Sequence, residues 1–484
     1  MSGCLNAFVL VPSEMLKILL ITGFIALVVA AKRPVPLQLG HFTSNAHDPI
    51  LKPHPLVPFT PGSPSSLGRG NREVKDRFKK TENYSHLHRH SGNPFGGNPR
   101  SGVSRSYKRQ YASQNVTDLG QGVWYGVNVT FGTQELTLVL DTSSSDTWVF
   151  STNTTCIGTK LKDGKDNGWG DIMCSFGPRY QGNFSDRSFE HDHFSTEYFM
   201  NETINGTLGM VDLTVAGISV TNQTVGLAYN ANWWLGSGPS SGVLGLAYPG
   251  LTNIFVESNA TGNSSYHETY SPVFFTMIAQ GLTEGFFSLA LSRPGSSSES
   301  AGVIAFGGVA EDLKGINFST TAQTDIIIAN VDNKPSSASQ YSYYTILADG
   351  WSFEGASDTR KLAYIIDSDT PYIILPTSLA NDVANAFDPP ARNNEVIGVY
   401  YVDCDATAPD IAFVMNGTSF WLNPEDLIIQ ESDGPHHMRG PCFIAFNDGG
   451  DAGPFILGSP FLKNVLAIFD VENAVIQFSA REFY

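Results

Sequence analysis

The sequence predicts an all-β protein with two similar β lobes around a central cleft, and three observations lead there. The 484 residues include 47 Gly and 27 Pro with only 15% charged residues, which indicates many turns and short strands. A hydrophobic share of 41% excludes wholesale disorder, and this length suits two or three domains, each with its own core. The third observation is an internal repeat, in which a hydrophobic strand ending in Asp occurs twice.

Each copy of the repeat joins an apolar run and its Asp to a later apolar pair followed by Gly. The copies are LVLDTSS (138–144) with VLG (243–245), and AYIIDSDT (363–370) with ILG (456–458). Taken singly, Asp141 or Asp367 would be interpreted as a turn residue, since Asp before Thr or Ser is common where strands end. The end of a fully apolar run is a poor place for a solvated turn, yet an Asp with hydroxyl neighbours occurs there twice. The pattern therefore indicates two carboxylates facing across a cleft.

The N-terminus predicts a secretory signal over residues 1–31. Ile18 to Ala31 is a weakly polar to apolar run of 14 residues, preceded by Lys17 and ending in small residues. This run is too short for a comfortable transmembrane helix, although a signal anchor is the alternative. Initiation at Met15 would give a more ordinary signal.

Residues 32–109 predict a basic propeptide, because they are rich in Pro, Gly, Ser, His and Arg and poor in apolar clusters. They hold 14 basic and 4 acidic side chains, a charge of +10, whereas residues 110–484 hold 14 and 41, a charge of −27. The segment ends at Lys108-Arg109, a dibasic pair suited to a processing protease. The opposite charges predict that the basic segment is a detachable partner of the acidic body. The acidic body argues against nucleic acid as a partner.

Asn-x-Ser/Thr sequons support secretion independently, since eleven of them follow Arg109. They begin at Asn115, Asn128, Asn153, Asn183, Asn201, Asn205, Asn222, Asn259, Asn263, Asn317 and Asn416. The chain ends at Tyr484 directly after its last strand-like segment and without a hydrophobic tail, so we expect no lipid or membrane anchor. An extracellular location is predicted, with the vacuole as the alternative.

The cysteines predict two local disulfides. Cys4 is lost with the signal, and the remaining four allow three pairings. The wide gap between the second and the third favours Cys156–Cys174 and Cys404–Cys442. No Cys/His grouping has metal-ligand spacing, and His191-Asp-His193 is interpreted as a solvated loop rather than a zinc site. We therefore expect neither metal nor cofactor.

From Gly122 to Tyr484 the chain resembles the pepsin-type aspartic endopeptidases of the secreted fungal branch. The resemblance rests on ordered landmarks, which are VNVTFGTQELTLVLDTSSSDTWVF, GVLGLAYP, PVFFTMIAQGL, IAFGG and PFILGSPFLKNVLAIFDVENAVIQF. It implies a bilobal pepsin-like fold, here an N-terminal lobe over 110–310 and a C-terminal lobe over 311–484, and a monomer that hydrolyses polypeptides at acid pH. Two close carboxylates share a proton, and the ionised one activates a water.

The resemblance also implies eight site residues. They are the catalytic pair Asp141 and Asp367, the loop-locking hydroxyl residues Thr142 and Ser368, the outer hydroxyl residues Ser144 and Thr370, and two aromatic residues, Trp148 and the flap tyrosine Tyr198. The alternative for Trp148 is a core aromatic, and for Tyr198 a strand-surface aromatic. The flap is unusual, because FMNETING replaces the glycine-rich tip of the family.

Both family triplets have lost their glycine, to Ser143 in the first and to Asp369 in the second. Asp369 adds a third carboxylate, which we expect to raise the pKa values of the pair. Asp369 itself as the catalytic residue is the alternative to Asp367. Two function classes therefore remain, an acid endopeptidase and a protease-like fold that binds peptide or protein without cutting.

Overall fold

The structure is a computed structural model. It describes residues 111–482 except for 121, 158–173, 175, 183, 185–191, 199–201, 234–239, 258–264, 294–299, 310–312, 314, 329–339, 354–355, 395–398 and 434–437. The predicted signal (1–31), the propeptide (32–109) and the processing pair lie outside the described residues. So do His191 and the sequon residues Asn183, Asn201, Asn259 and Asn263.

Strands dominate the described residues, and the three α-helices there are short. The helices are α1 (Val273–Ala279), α2 (Thr377–Asn385) and α3 (Ser459–Leu462), with 3₁₀ turns at Pro249–Leu251 and Pro424–Asp426. The strands are β1 (Ala112–Asn115), β2 (Thr117–Gly120), β3 (Trp124–Phe131), β4 (Gln134–Asp141), β5 (Thr147–Cys156), β6 (Asp192–Glu197), β7 (Thr203–Val215), β8 (Ile218–Asn232), β9 (Gly242–Gly245), β10 (Ile254–Glu257), β11 (Ser265–Glu268), β12 (Phe286–Leu291), β13 (Gly302–Phe306), β14 (Ile316–Ile327), β15 (Thr345–Leu347), β16 (Gly350–Phe353), β17 (Ala356–Asp358), β18 (Ala363–Ile366), β19 (Ile373–Leu375), β20 (Arg392–Asn394), β21 (Val399–Val402), β22 (Ile411–Met415), β23 (Thr418–Trp421), β24 (Ile428–Asp433), β25 (Met438–Asp448), β26 (Phe455–Leu457), β27 (Val465–Asp470) and β28 (Val475–Arg481).

The strands form three sheets that build a bilobal all-β fold, as the sequence predicts. Strands β2 to β11 make a ten-stranded sheet, and this sheet carries Asp141 at the end of β4. A fourteen-stranded sheet combines β1, β12 and β13 with most strands after residue 315, and Asp367 directly follows its strand β18. Strands β16, β17, β22 and β23 form a smaller four-stranded sheet. The two carboxylates thus come from different sheets.

The internal repeat corresponds to one strand arrangement that is built twice. Strand β4 pairs in parallel with β9, and β18 pairs in parallel with β26, so each VLG or ILG segment lies beside the strand that leads to an Asp. Both β9 and β18 are buried along their whole length, which explains their continuous apolar sequence. By contrast, β1 at the sheet edge alternates between partly buried and exposed residues.

The glycine of each repeat is required by close backbone packing. A Cβ atom on Gly245 would lie 2.6 Å from the backbone carbon of Ser145, in the loop after Asp141. A Cβ atom on Gly458 would collide with the carbonyl oxygens of Thr370 and Tyr372, in and beside the other loop. Each Asp-bearing loop therefore folds back tightly against its partner strand, and only glycine leaves room for it.

Both local disulfides are present. Cys156 at the end of β5 is bonded to Cys174, with Cα atoms 5.9 Å apart. Cys404 is bonded to Cys442 on β25, with Cα atoms 5.2 Å apart. Each bond closes a short segment of one lobe, and neither joins the two sheets that carry the aspartates.

Candidate active site

Four hydrogen bonds with two-fold symmetry tie the two Asp-bearing loops together. The Thr142 amide donates to Ser368 Oγ at 3.1 Å, and the Ser368 amide donates to Thr142 Oγ1 at 3.0 Å. Each hydroxyl then donates to the carbonyl that precedes the opposite Asp, Thr142 to Ile366 at 2.9 Å and Ser368 to Leu140 at 2.6 Å. We call these four bonds the loop lock. Both hydroxyl residues are fully buried, so the lock sets the relative position of the two carboxylates without competition from water.

Asp141 is 1% exposed and accepts four hydrogen bonds from the two residues that follow Thr142. Its Oδ1 accepts from the Ser143 amide at 2.7 Å, from Ser143 Oγ at 2.8 Å and from the Ser144 amide at 3.2 Å. Its Oδ2 accepts from Ser144 Oγ at 2.5 Å. Charge-assisted bonds of this kind hold a carboxylate in one orientation.

Asp367 is 5% exposed and accepts three of the matching bonds. Its Oδ1 accepts from the Asp369 amide at 2.9 Å and from the Thr370 amide at 3.2 Å, while Thr370 Oγ1 donates to its Oδ2 at 2.5 Å. The side-chain donor at the third position has no counterpart here, because Asp369 carries a carboxyl where Ser143 carries a hydroxyl. The two halves of the site are symmetric except at this position.

Burial and mutual repulsion keep the pair partly protonated in acid. Burial raises the pKa of Asp141, and its four hydrogen bonds oppose that rise. Burial, followed by the charge of Asp141, raises the pKa of Asp367 to about 6. The two groups therefore share one proton over the acidic range, with one carboxylate ionised and the other neutral.

The third carboxyl group of the site, Asp369, has a strongly raised pKa of its own. Its pKa is raised well above the usual aspartate value by burial first, then by the charges of Asp141, Asp367 and Glu202. Its Oδ1 is inaccessible to solvent and has no hydrogen-bond partner among the described residues. Asp369 is therefore protonated, and neutral, in the acidic range. The sequence predicted that Asp369 would raise the pKa values of Asp141 and Asp367. In the structure Asp369 is itself the group that stays protonated, and its Oδ1 has no hydrogen-bond partner among the described residues.

Trp148 and Tyr198 contact each other, and Tyr198 lies within reach of the charge of Asp141. The Trp148 indole N–H donates to the Tyr198 hydroxyl at 2.6 Å, and Tyr198 follows β6, the first strand of the β6–β7 hairpin. Trp148 is also fully buried, packed edge-on to Phe150 and Trp233 at 5.0 and 5.2 Å, so it is a core aromatic as well. Burial, and next the charge of Asp141, raises the pKa of Tyr198, so its hydroxyl keeps its proton. The flap tip at 199–201 lies outside the described residues.

The sequence did not single out a polar network that links the first loop to the flap. Asp146, five residues after Asp141, is 1% exposed and accepts from Tyr270 Oη and Asn253 Nδ2, each at 2.7 Å. Asn253 Nδ2 also lies 3.3 Å from Thr196 Oγ1 on β6. Trp233, which packs on Tyr198 at 5.6 Å, was likewise not predicted. These residues lie 50 or more positions from Asp146 in the sequence, which leaves no local signal for the contacts.

Within the described ranges, no three His, Cys, Asp or Glu residues are grouped as metal ligands. His193 is exposed on β6. A bilayer-spanning helix would need to be longer and more apolar than any helix in the described part of the chain.

The pattern model of the eukaryotic aspartyl protease family matches residues 124–481, which include every site residue named above. The chain belongs to this family. A probable aspartic-type endopeptidase of Aspergillus fumigatus is 35% identical over 393 residues, which cover 79% of this chain and 84% of that protein. Rhizopuspepsin-4 of Rhizopus niveus is 27% identical over 366 residues, covering 75% and 78%. Gastricsin of Mus musculus is 27% identical over 368 residues, covering 72% and 79%.

This aspartyl protease is therefore an acid endopeptidase that hydrolyses peptide bonds. The pepsin-type resemblance inferred from the landmarks is confirmed by the family and by its fungal relatives. The second function class, a fold that binds peptide without cutting, gains no support from the comparisons or from the described site.

Proposed function

We propose that Asp141 and Asp367 are the catalytic dyad of this endopeptidase. The observation that carries the proposal is the loop lock, which holds two buried carboxylates from different sheets in one site. Asp369 is the alternative second member. Asp367 is favoured because it accepts three of the four bonds that Asp141 accepts, whereas Asp369 Oδ1 has no hydrogen-bond partner among the described residues.

In the proposed reaction, a water bound between the carboxyls is the nucleophile. The ionised carboxylate takes a proton from this water while the water oxygen bonds to the scissile carbonyl carbon. The neutral carboxyl donates a hydrogen bond to the carbonyl oxygen. The resulting tetrahedral diol loses the amine when the C–N bond breaks and the nitrogen receives a proton. The water is thus divided between the new acid and the new amine. The outer hydroxyls of Ser144 and Thr370 hold the dyad in place throughout.

Tyr198 and Trp148 are proposed to close the site over an extended polypeptide. Because the Trp148 N–H donates to the Tyr198 hydroxyl, the proton of that hydroxyl is directed to another acceptor. The Asp146 network fixes β6 relative to the first loop, so the hairpin closes from a defined base. Closure of such a hairpin excludes water and strengthens hydrogen bonds to the reacting carbonyl.

We expect the purified enzyme to degrade a denatured protein at pH 3–4 and to lose that activity near neutral pH, where the shared proton of the dyad is released. The direct measurement is the release of soluble peptides across the pH range. A transition-state-mimicking aspartic protease inhibitor should block it, and a metal chelator serves as the negative control. Cleavage that ignores the inhibitor but stops with the chelator would contradict the proposed chemistry.

We propose that the protein is secreted as a zymogen, with residues 1–31 as the signal and 32–109 as an inhibitory propeptide. Charges of +10 and −27 on the two segments support their association at neutral pH and its release in acid, as carboxylates are neutralised. The structure supports a boundary near Lys108-Arg109, because β1 begins at Ala112. The lobes at 110–310 and 311–484, the monomeric state and glycosylation belong to the same proposal, with the vacuole as the alternative destination. The described sequon residues with exposed side chains are Asn115, Asn128, Asn153, Asn222 and Asn416.

The mature protein should begin at or near Gln110, since cleavage after Arg109 leaves β1 intact. N-terminal sequencing of the stable extracellular form tests this, and replacing Lys108-Arg109 with Gln-Gln is the matched control, which should leave the larger precursor. A stable, active form beginning near Lys32 would show that the propeptide is retained.

A further inference from the structure

The two Asp-bearing loops differ by one hydrogen bond, and the extra bond favours negative charge on one aspartate over the other. Ser143 and Asp369 occupy equivalent places, and the amide of each donates to Oδ1 of its own aspartate, at 2.7 and 2.9 Å. Ser143 adds a second donor, its hydroxyl, at 2.8 Å from Asp141 Oδ1. Asp369 gives Asp367 no such donor. The first loop thus stabilises negative charge on its aspartate more strongly than the second loop does.

Among the described residues, the charges that act on Asp141, Asp367 and Asp369 are those of carboxyl groups and not of cations. Asp141 faces Asp367 and Asp369 on the opposite loop. From the flap, the neutral phenol of Tyr198 faces Asp141, and Glu202 acts on Asp369. On the first loop itself the further charged group is Asp146, which already accepts from Tyr270 and Asn253. Within that part of the chain, an anion on Asp141 is stabilised by its four hydrogen-bond donors.

We propose that the Ser143 hydroxyl is a positioning group that keeps Asp141 the ionised member of the dyad and thereby places the shared proton on Asp367. The assignment rests on the proposed function, in which these two aspartates are the dyad. A hydroxyl has a single proton, and the geometry directs that of Ser143 to Asp141 Oδ1 at 2.8 Å. The same hydroxyl also lowers the pKa of Asp367, but burial and the charge of Asp141 raise that pKa by more. Ser143 therefore favours negative charge on Asp141 over negative charge on Asp367.

The consequence for catalysis is a defined division of labour. Asp141 takes the proton of the attacking water, and Asp367 donates to the scissile carbonyl. The acid limb of the pH profile of kcat/KM then reports the protonation of Asp141 in the free enzyme. Removing a donor from a carboxylate raises its pKa, so removing the hydroxyl should move this limb to higher pH.

The test compares Ser143→Ala, Ser143→Gly and Ser143→Thr in kcat/KM profiles from pH 2 to 7 with one soluble peptide. The acid limb of the Ala and Gly variants should rise by about one pH unit, the size expected from one hydrogen bond to a charged group. Ser143→Thr keeps the hydroxyl and should stay near the wild-type limb. Ser145→Ala is the matched control in the same loop. Its hydroxyl donates to the Tyr248 carbonyl and touches neither carboxyl, so its loss should lower the Tm and leave the limb in place.

An acid limb in Ser143→Ala and Ser143→Gly that stays within a few tenths of a pH unit of wild type would overturn the proposal. So would an equal shift in Ser143→Thr, because that would trace the effect to packing. If the Ala variant does not fold, the Gly variant, which restores the family residue, carries the test. If either folds but turns over too slowly, the pH dependence of binding of a transition-state-mimicking inhibitor replaces kcat/KM and should shift the same way.

Failure of this inference is distinguishable from failure of the proposed dyad. An active Asp141→Asn variant would reject both the proposed dyad and the proposed role of Ser143. An inactive Asp141→Asn variant beside an unshifted Ser143→Ala limb would leave the dyad standing and remove only the role of Ser143.

Discussion

Replacing Asp141 or Asp367 with Asn should reduce peptide hydrolysis by about 10⁴-fold, the upper end of what general acid–base catalysis contributes. Asparagine keeps the shape of aspartate and can still accept from the amide two residues on, but it cannot share the proton that the reaction moves. Thermal unfolding should stay near the wild-type temperature, because the loop lock uses Thr142 and Ser368 and not the carboxylates. The measurements are kcat/KM at acid pH and a melting curve for each variant.

Asp212→Asn is the matched control for that experiment. Asp212 is exposed on β7 and accepts the Asn222 amide across the hairpin, so the same change there removes a charge without touching the cleft. It should keep full activity. Wild-type turnover in either dyad variant would reject the mechanism, and turnover in Asp367→Asn alone would bring Asp369 back as the second catalytic residue.

The second large effect is expected from Asp369, and it depends on pH. Burial and three neighbouring carboxylates raise its folded-state pKa above the unfolded value of about 3.9. A raised pKa in the folded state gives stability that is full below the unfolded pKa and is lost as pH rises through the folded pKa. Asp369→Asn removes this loss, so the variant should melt above the wild type at pH 7 and with it at pH 3. Each unit of raised pKa corresponds to about 1.4 kcal/mol.

Activity of the Asp369 variants separates charge from backbone geometry. Since Asp369 is neutral in acid, Asp369→Asn should leave the acid limb in place and extend activity toward neutral pH, where the wild-type carboxylate becomes charged. Asp369→Gly removes the side chain as well. A gain in the glycine variant alone, at every pH, would show that the backbone at the third position limits the enzyme. A gain in melting temperature that is equal at pH 3 and pH 7 would mean that the carboxyl is not titrating between them.

The parts of the fold that the sequence predicted are those with a local pattern. Apolar runs ending in Asp141 and Asp367 predicted the two loops, because buried central strands read as uninterrupted apolar sequence. The VLG and ILG segments were recognised as parts of a repeat, and the structure shows that they pair with the strands that lead to the aspartates. The Gly of each pair has a steric reason that sequence alone does not show, namely the loop backbone packed against it. Disulfide pairing followed from spacing, since the two local pairs close the shortest loops.

The parts that sequence could not predict depend on neighbours far along the chain. Asp146 meets Tyr270 across 124 residues, and Trp233 packs beside Tyr198 from the end of β8. The charge state of Asp369 could not be predicted either, because its pKa depends on burial and on residues distant in sequence such as Glu202. In the sequence, Ser143 was visible only as a residue that replaces the family glycine. Its hydroxyl bond to Asp141 became visible only with the side-chain geometry.

The loop lock also determines when during folding the enzyme becomes active. Its amide–hydroxyl bonds join residues 226 positions apart, so they close one of the longest loops in the molecule. Contacts of such separation are entropically the most expensive to form and follow the local strand pairings. Neither lobe alone holds a proton-sharing pair, and a nascent chain that has completed only the first lobe has one isolated aspartate. The proposed dyad is thus complete only once the two Asp-bearing loops have docked, and the fourteen-stranded sheet needs β27 from the end of the chain to pair with β12.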